Sequence, residues 1–292
     1  ARTPVLVSHH KAVGNRNFGK VEVTLGLLDQ ARRQGLDTYS DIYPYIAGMS
    51  TMTSVLPPWV LAGGLPAMLD RLGDPAVRAQ IGRDIDAGLP GWENRINAVG
   101  WDNIVITTVN TAGNRDLEGM TLAQGAAKRN KAPLDLLVDL LLEEGGKVGR
   151  ITRGSCDADM VRVLTHEHTM IGSDAIDADK AHPRQYGTFP KVLGEIVRER
   201  HLLSLEAAVH KMTGLTARTF GLGDVGLIEP GRRADLVLFD PARIQDTATY
   251  ADPCRFPIGI EAVMVGGVWS VRDGRMTGRL NGRVLRKASH GA

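Results

Sequence analysis

The chain opens with a strand, a helix and a second strand inside about forty residues, an alternation that few folds accommodate. Val5, Leu6 and Val7 form a β-branched-rich run of the length expected for a strand buried on both faces. Val23, Leu27, Leu28 and Ala31 recur at helical spacing across residues 23–34, and Gly35 ends the helix. Residues 36–42 read as the next strand, running into Tyr43-Pro44-Tyr45. Strands joined by such a crossover pair in parallel, and in parallel α/β folds ligands and catalytic side chains gather at the C-terminal strand ends. The first strand ends in Ser8-His9-His10-Lys11, and the topology puts Tyr43 on the same face of the fold. An imidazole delivered there is a candidate metal ligand. The bland alternative is a hydrogen-bonded histidine closing a strand.

A second anchor lies far downstream. Thr169-Met170-Ile171-Gly172-Ser173-Asp174 reads as an apolar strand ending in a carboxylate. Beside a metal-bound water, Asp174 is a candidate proton acceptor that passes the proton to a leaving group; otherwise it is a turn aspartate. The loop beyond holds His182-Pro183-Arg184, and an arginine on an active face is a natural two-pronged clamp for a carboxylate. His166-Glu167-His168 has the spacing of a metal pair, but it precedes its strand, which places it at the stability end and not the reactive end.

Composition narrows the class. A net charge of +2 from 35 basic and 33 acidic residues provides no field for nucleic acid or an anionic membrane, so neither is an expected partner. Two cysteines, Cys156 and Cys254, with no CxxC pair, fit a reducing, cytoplasmic compartment. No apolar run approaches the length of a membrane span. Because a core strand begins within four residues of an Ala-Arg-Thr-Pro start, a preceding segment or separate polypeptide is expected.

Organisation follows from punctuation. Residues 1–225 read as an α/β unit interrupted at about 47–100 by a helical insertion rich in glycine and proline, of the kind that shapes or covers a site. Within it Asp74-Pro75 reads as an N-cap and first helical residue, with Gly88 at the far end. Residues 103–109 read as a strand, and residues 133–144, 157–164, 190–200 and 204–212 as helices. Residues 226–292 read as a small β unit with strands at 234–239, 260–265 and 268–271.

Taken in order, Ser8-His9-His10-Lys11, Asp41-Ile42-Tyr43-Pro44-Tyr45, Gly172-Ser173-Asp174, His182-Pro183-Arg184, Tyr186-Gly187-Thr188-Phe189-Pro190 and Gly231-Arg232-Arg233-Ala234-Asp235-Leu236 resemble the N-acyl-D-amino-acid deacylases (D-aminoacylases) of the amidohydrolase superfamily. The resemblance implies the C-terminal part of a distorted (β/α)8 metal-dependent hydrolase barrel with a small β-sandwich. It implies Zn2+-dependent hydrolysis of N-acyl-D-amino acids, with His9 as a metal ligand, Asp174 catalytic, Tyr43 stabilising the oxyanion, and Lys11 and Arg184 binding the substrate carboxylate. The family's early His-x-His pair and its other ligands have no counterpart here, so a companion chain or segment carrying the N-terminal half is expected. Where the family has Ala-Gly-Ser-Thr, this chain has Ala47-Gly48-Met49-Ser50, which alters a pocket wall. The alternatives are a related amidohydrolase acting on a cyclic amide or carbamoyl group, and a catalytically silent structural half.

Overall fold

Strand β1 (Val5–Val7) lies parallel to β2 (Thr38–Ile42), with Val5 opposite Thr38 and Val7 opposite Ser40. Helix α1 (Val21–Arg33) makes the crossover and buries Val21 and Leu25 against the sheet. Arg32 and Arg33 occupy its last turn, where cations complement the helix dipole, and Gly35 leaves it at a φ of 81° that favours glycine. The computed structural model describes residues 3–176 and 182–285. Residues 1–2 and 286–292, the outer ends of the two expected units, lie outside the described residues.

After β2 come β3 (Ala47–Thr51), then α2 (Pro58–Leu61), α3 (Gly64–Leu72), α4 (Pro75–Ala87) and α5 (Arg95–Val99). Next are β4 (Ile104–Ile106), α6 (Leu122–Arg129), α7 (Pro133–Glu143) and β5 (Gly149–Arg153). Helix α8 (Asp157–Thr165) then leads to β6 (Thr169–Ile171), which pairs in parallel with the free side of β2, Ser40 opposite Thr169 and Ile42 opposite Ile171. The first sheet is therefore β1-β2-β6, three parallel strands whose C-terminal ends point one way. Ser40 and Thr169 hydroxyls, 2.8 Å apart, join β2 to β6 inside it.

The insertion differs from the helical excursion expected at 47–100. Its first residues are β3, which pairs antiparallel with β5, and β5 pairs antiparallel with β4, giving a second sheet ordered β3-β5-β4. The strand expected at 103–109 is the shorter Ile104–Ile106 of that sheet. The helices around it behave as read. Asp74 accepts a hydrogen bond from the Ala76 N–H at 2.8 Å, Pro75 takes the first helical position, and Gly88 closes α4. Thr121 and Gln124 form a reciprocal capping box on α6. This region has its own core of Leu56, Val60, Leu72, Ile81, Ile106, Leu117 and Leu137, separate from the core of Leu25, Ile42, Val163, Leu164, Ile171 and Ile196 beneath the parallel sheet.

Two further expectations are corrected. Val5 is 50% exposed and Leu6 and Val7 are half-buried, because among the described residues β1 is the edge of its sheet and not a strand covered on both faces. The helix expected at 190–200 begins at Arg184: α9 (Arg184–Lys191) runs without a break into a π-helical segment (Val192–Glu199). Pro190 lies inside that helix and has no N–H to offer the ladder, a known source of local rewinding.

Helices α10 (Leu205–Met212), capped by the Ser204 hydroxyl, and α11 (Gly214–Phe220) lead to the last sheet. It consists of β7 (Leu236–Phe239), β8 (Ile260–Val265), β9 (Val268–Arg272) and β10 (Arg275–Met276), all antiparallel. Gly266-Gly267 and Asp273-Gly274 form its two-residue turns with positive φ throughout, the geometry that matches the strand twist. The chain is thus a mixed α/β molecule, with one parallel and two antiparallel sheets among the described residues.

Candidate active site

The C-terminal ends of the parallel strands bring four of the predicted residues together. His9, Lys11, Tyr43 and Asp174 all line one cleft of about 390 Å³. His9 follows β1, Tyr43 follows β2 and Asp174 lies three residues beyond Ile171 of β6, so adjacent parallel strands alone account for their convergence. The backbone turns sharply at both outer members: φ is 40° at His9 and 46° at Asp174, a left-handed conformation uncommon for residues with side chains. The other non-glycine residues with positive φ, Asn130, His201 and Asp273, sit at helix ends and a hairpin turn, where such values are usual. At His9 and Asp174 the conformation instead reorients a side chain at a strand end, as functional sites often require.

Asp41 supports the His9 turn. Its carboxylate accepts from the His9 N–H at 2.6 Å and from the Ser8 hydroxyl at 3.2 Å. The neighbouring histidine faces the other way. His10 is buried, its Nε2 lies 2.7 Å from the Thr24 hydroxyl, and burial lowers its pKa. Alternation along the chain therefore sends one imidazole into the cleft and the other into the core behind it.

Lys11 donates to the Tyr43 hydroxyl at 2.8 Å and to the His9 carbonyl at 3.1 Å. Burial, reinforced by the nearby Arg184 charge, lowers the Lys11 pKa to about 8. Burial raises that of Tyr43 to about 12, so at neutral pH its hydroxyl keeps its proton and, with Lys11 on the oxygen, can donate it.

Arg184 lies behind this layer. It is the first residue of α9 and not part of an open loop, it is 1% exposed, and it is not among the residues that line the cleft. Its guanidinium carbon stacks 4.5 Å from the centre of the Tyr43 ring, and Nη2 is 2.9 Å from the Asp174 carboxylate. The contact is an ion pair by distance, yet neither terminal nitrogen has an aligned hydrogen-bond acceptor among the described residues. His182 holds this arginine in place. Its Nδ1 accepts from the Arg184 N–H at 3.1 Å while Nε2 donates to the Ala47 carbonyl at 3.0 Å, which fixes a neutral tautomer. Burial and the adjacent Arg184 charge lower its pKa to about 3, so this imidazole stays neutral and fully committed.

The second sheet supplies the facing wall: Gly48, Met49 and Ser50 of β3, and Arg150 and Thr152 of β5, with Trp92, Glu93 and Arg95 from the insertion. A methyl group at Gly48 would stand 2.9 Å from the Tyr43 hydroxyl, so glycine at this position is what lets the strand approach. Sequence reasoning missed Arg150, Arg95 and Asp41. Their pattern is that of ordinary surface charges: tertiary packing brings Arg150 of β5 and Arg95 of α5 to the cleft, and the β1-β2 pairing puts Asp41 under the His9 turn.

A hydrolytic metal needs three or more protein donors. His9, Asp174 and the Arg95-paired Glu93 line the cleft, yet among the described residues no group of three histidine, cysteine or acidic side chains could hold an ion. The described residues do not complete such a site. His166 and His168 lie before β6, where His166 faces Asp29 at 3.2 Å.

Comparison with known proteins places the chain in a family. Residues 74–271 match the Amidohydrolase family. The chain is 35% identical over 287 residues to a D-aminoacylase of Alcaligenes xylosoxydans xylosoxydans, covering 98% of this chain and 49% of that protein. It is 44% identical over 153 residues to an N-acyl-D-aspartate deacylase of the same organism, covering 49% of this chain and 30% of the relative. The crystal structure of N-acyl-D-glutamate deacylase from Bordetella bronchiseptica, complexed with zinc and a phosphonate inhibitor, superposes with a TM-score of 0.75 at 30% identity, covering 97% of this chain and 50% of that one. The chain thus spans about half the length of the relatives it matches. It belongs to the amidohydrolase family, as a D-aminoacylase-type member corresponding to the C-terminal portion of its relatives.

Proposed function

We propose that this chain carries the substrate-binding and proton-transfer half of a zinc-dependent hydrolase of N-acyl-D-amino acids, releasing a D-amino acid and a carboxylate. The supporting observation is the convergence of Lys11, Tyr43, Arg184 and Asp174 at the ends of three parallel strands, in a chain whose relatives are named for that hydrolysis. In this reading the barrel and the β-sandwich are completed by a segment or companion chain, which also supplies the metal donors that the described residues lack.

When bound, zinc would supply a nucleophilic hydroxide near neutral pH. The residues of this chain divide the remaining work. Lys11 holds the α-carboxylate at the cleft surface, while Arg184, buried behind it, holds the Tyr43 ring and the Asp174 carboxylate in place and adds its positive charge from beneath. A cation fixed beside the Tyr43 hydroxyl on one rigid layer sets the direction of the Cα substituents, which is how an active site selects one enantiomer. The Tyr43 hydroxyl donates to the carbonyl oxygen as negative charge develops on it. Asp174 accepts a proton from the attacking water and returns it to the departing nitrogen.

A chirality-resolved hydrolysis assay on N-acetyl-D- and N-acetyl-L-amino acids, run on the full protein containing this chain and loaded with zinc, tests the reading. Hydrolysis confined to the D series supports it. Hydrolysis of the L series alone, or of cyclic amides with no activity on either series, rejects it.

A further inference from the structure

Arg150 is a buried cation with no ion-pair partner among the described residues. It is 2% exposed, yet it lines the cleft together with Lys11 and Arg95. Arg95 is ion-paired with Glu93 at 2.7 Å, but no carboxylate among the described residues lies within ion-pair distance of Arg150. All its partners are neutral. Nε donates to the Thr51 carbonyl at 3.2 Å and shares the Ser54 hydroxyl, Nη2 donates to Ser54 at 2.8 Å, and Nη1 donates to the Thr152 hydroxyl. Each terminal nitrogen carries two N–H groups, so each retains one that no described residue accepts. Burial, reinforced by the nearby Arg95 charge and only partly offset by the Glu93 carboxylate, lowers the pKa of this arginine to about 10.

A strap between strands would not need a charge. Ser54, Thr51 and Thr152 could be bridged by a neutral amide at far smaller desolvation cost, since an unpaired buried cation is among the more expensive things a fold can hold. The strand register gives its position. Gly48 lies against the Tyr43 hydroxyl and pairs with Thr152, while Ser50 pairs with Arg150. Arg150 thus sits on the same face of β5 as Thr152, one two-residue step, or about 6–7 Å, further along the strand from the position that pairs with Gly48.

We infer that Arg150 recognises a second carboxylate, and that the substrates of this site are N-acyl-D-amino acids with an acidic side chain. The inference rests on the proposed function and narrows it. Lys11 takes the α-carboxylate at one end of the cleft, and Arg150 takes the side-chain carboxylate on the opposite wall.

The test is a panel of N-acetyl-D-glutamate, N-acetyl-D-aspartate, N-acetyl-D-leucine and N-acetyl-D-methionine on the full, metal-loaded protein and on its Arg150→Met variant. The wild type is expected to prefer the acidic pair in kcat/KM by at least about tenfold, and Arg150→Met to lower kcat/KM on that pair by about 10²-fold while leaving the apolar pair unchanged or improved. A measurement on the wild type alone covers the case in which the variant does not fold: free D-glutamate should inhibit at least about tenfold more strongly than free D-leucine. Apolar preference in the wild type, or equal inhibition by the two amino acids, overturns the inference and leaves the proposed function standing. A protein that hydrolyses none of the panel overturns the proposed function, and the inference with it.

Discussion

The two sheets that face each other across the cleft are built differently. The parallel sheet β1-β2-β6 presents its side chains from strand ends, where φ turns positive at His9 and Asp174 and an Asp41 carboxylate clamps the chain. The antiparallel sheet β3-β5-β4 presents side chains from mid-strand, Arg150 and Thr152 on β5 and Gly48 and Ser50 on β3, in regular extended backbone. Strand ends tolerate unusual backbone and can aim several groups at one point, which suits bond-breaking chemistry. A strand face offers a row of positions at fixed spacing, each replaceable without disturbing its neighbours, which suits recognition. Under the proposed function the difference amounts to a division of labour: the strand ends set whether the reaction proceeds, and the wall sets on which substrate.

That division is most exposed at Asp174. Replacing it with Asn keeps the shape and removes the base, so kcat is expected to fall about 10² to 10⁴-fold on every substrate alike, measured by steady-state kinetics on the full protein. A loss restricted to one substrate class would move Asp174 from the chemistry to the recognition side.

Lys11 is next in size. Truncation to Met removes a charge-assisted contact of about 1.5–3 kcal/mol, so kcat/KM should drop by roughly 10 to 150-fold with a smaller change in kcat. The pH profile sharpens this. The pKa of Lys11 is about 8, so its positive charge is present below that pH and is lost above it. The kcat/KM of the wild type should therefore fall as pH rises through about 8, and the Lys11→Met variant should lose that limb.

Gly48 tests the seam between the sheets. A methyl group there meets the Tyr43 hydroxyl at 2.9 Å, and the backbone φ is not in the left-handed region, so Gly48→Ala should leave the thermal midpoint nearly unchanged. Displacement of the hydroxyl should lower kcat about tenfold, a fraction of the effect of losing an oxyanion donor outright. The smallest effect is expected at His10, next to the cleft in sequence but turned into the core. His10→Ala should reduce stability by about 1 kcal/mol, seen in urea unfolding, with kinetics unaltered.

Local signals make one of these regions legible and leave the other hidden. Val5 to Val7, α1 and the run before Tyr43 are declared by apolar spacing and a glycine stop within a few residues of one another, so the strand ends, with His9, Lys11, Tyr43 and Asp174, can be placed from sequence. The wall cannot. Ala47-Gly48-Met49-Ser50-Thr51 has little β-branched character, and its partner Gly149–Arg153 lies about a hundred residues away, so the pairing depends on tertiary contacts that no window of sequence contains. Arg150 therefore looks like any charged residue. Arg184 is visible as a motif but not in its true place, because its burial depends on the Tyr43 ring and Asp174 arriving from two other segments. The π-helical stretch after Pro190 has one local signal, a proline within a helical pattern, which reads as a boundary when it is in fact a rewinding.

The central claim is that His9 and Asp174, delivered by the two outer strands of the parallel sheet, face one hydrolytic centre. Anomalous diffraction at the zinc edge from crystals of the full, zinc-loaded protein tests it most directly. The account predicts zinc bonded to a ring nitrogen of His9, with the Asp174 carboxylate beside it in the same cleft. Zinc bound instead at His166 and His168, beyond the other end of β6, with His9 unliganded, would contradict it.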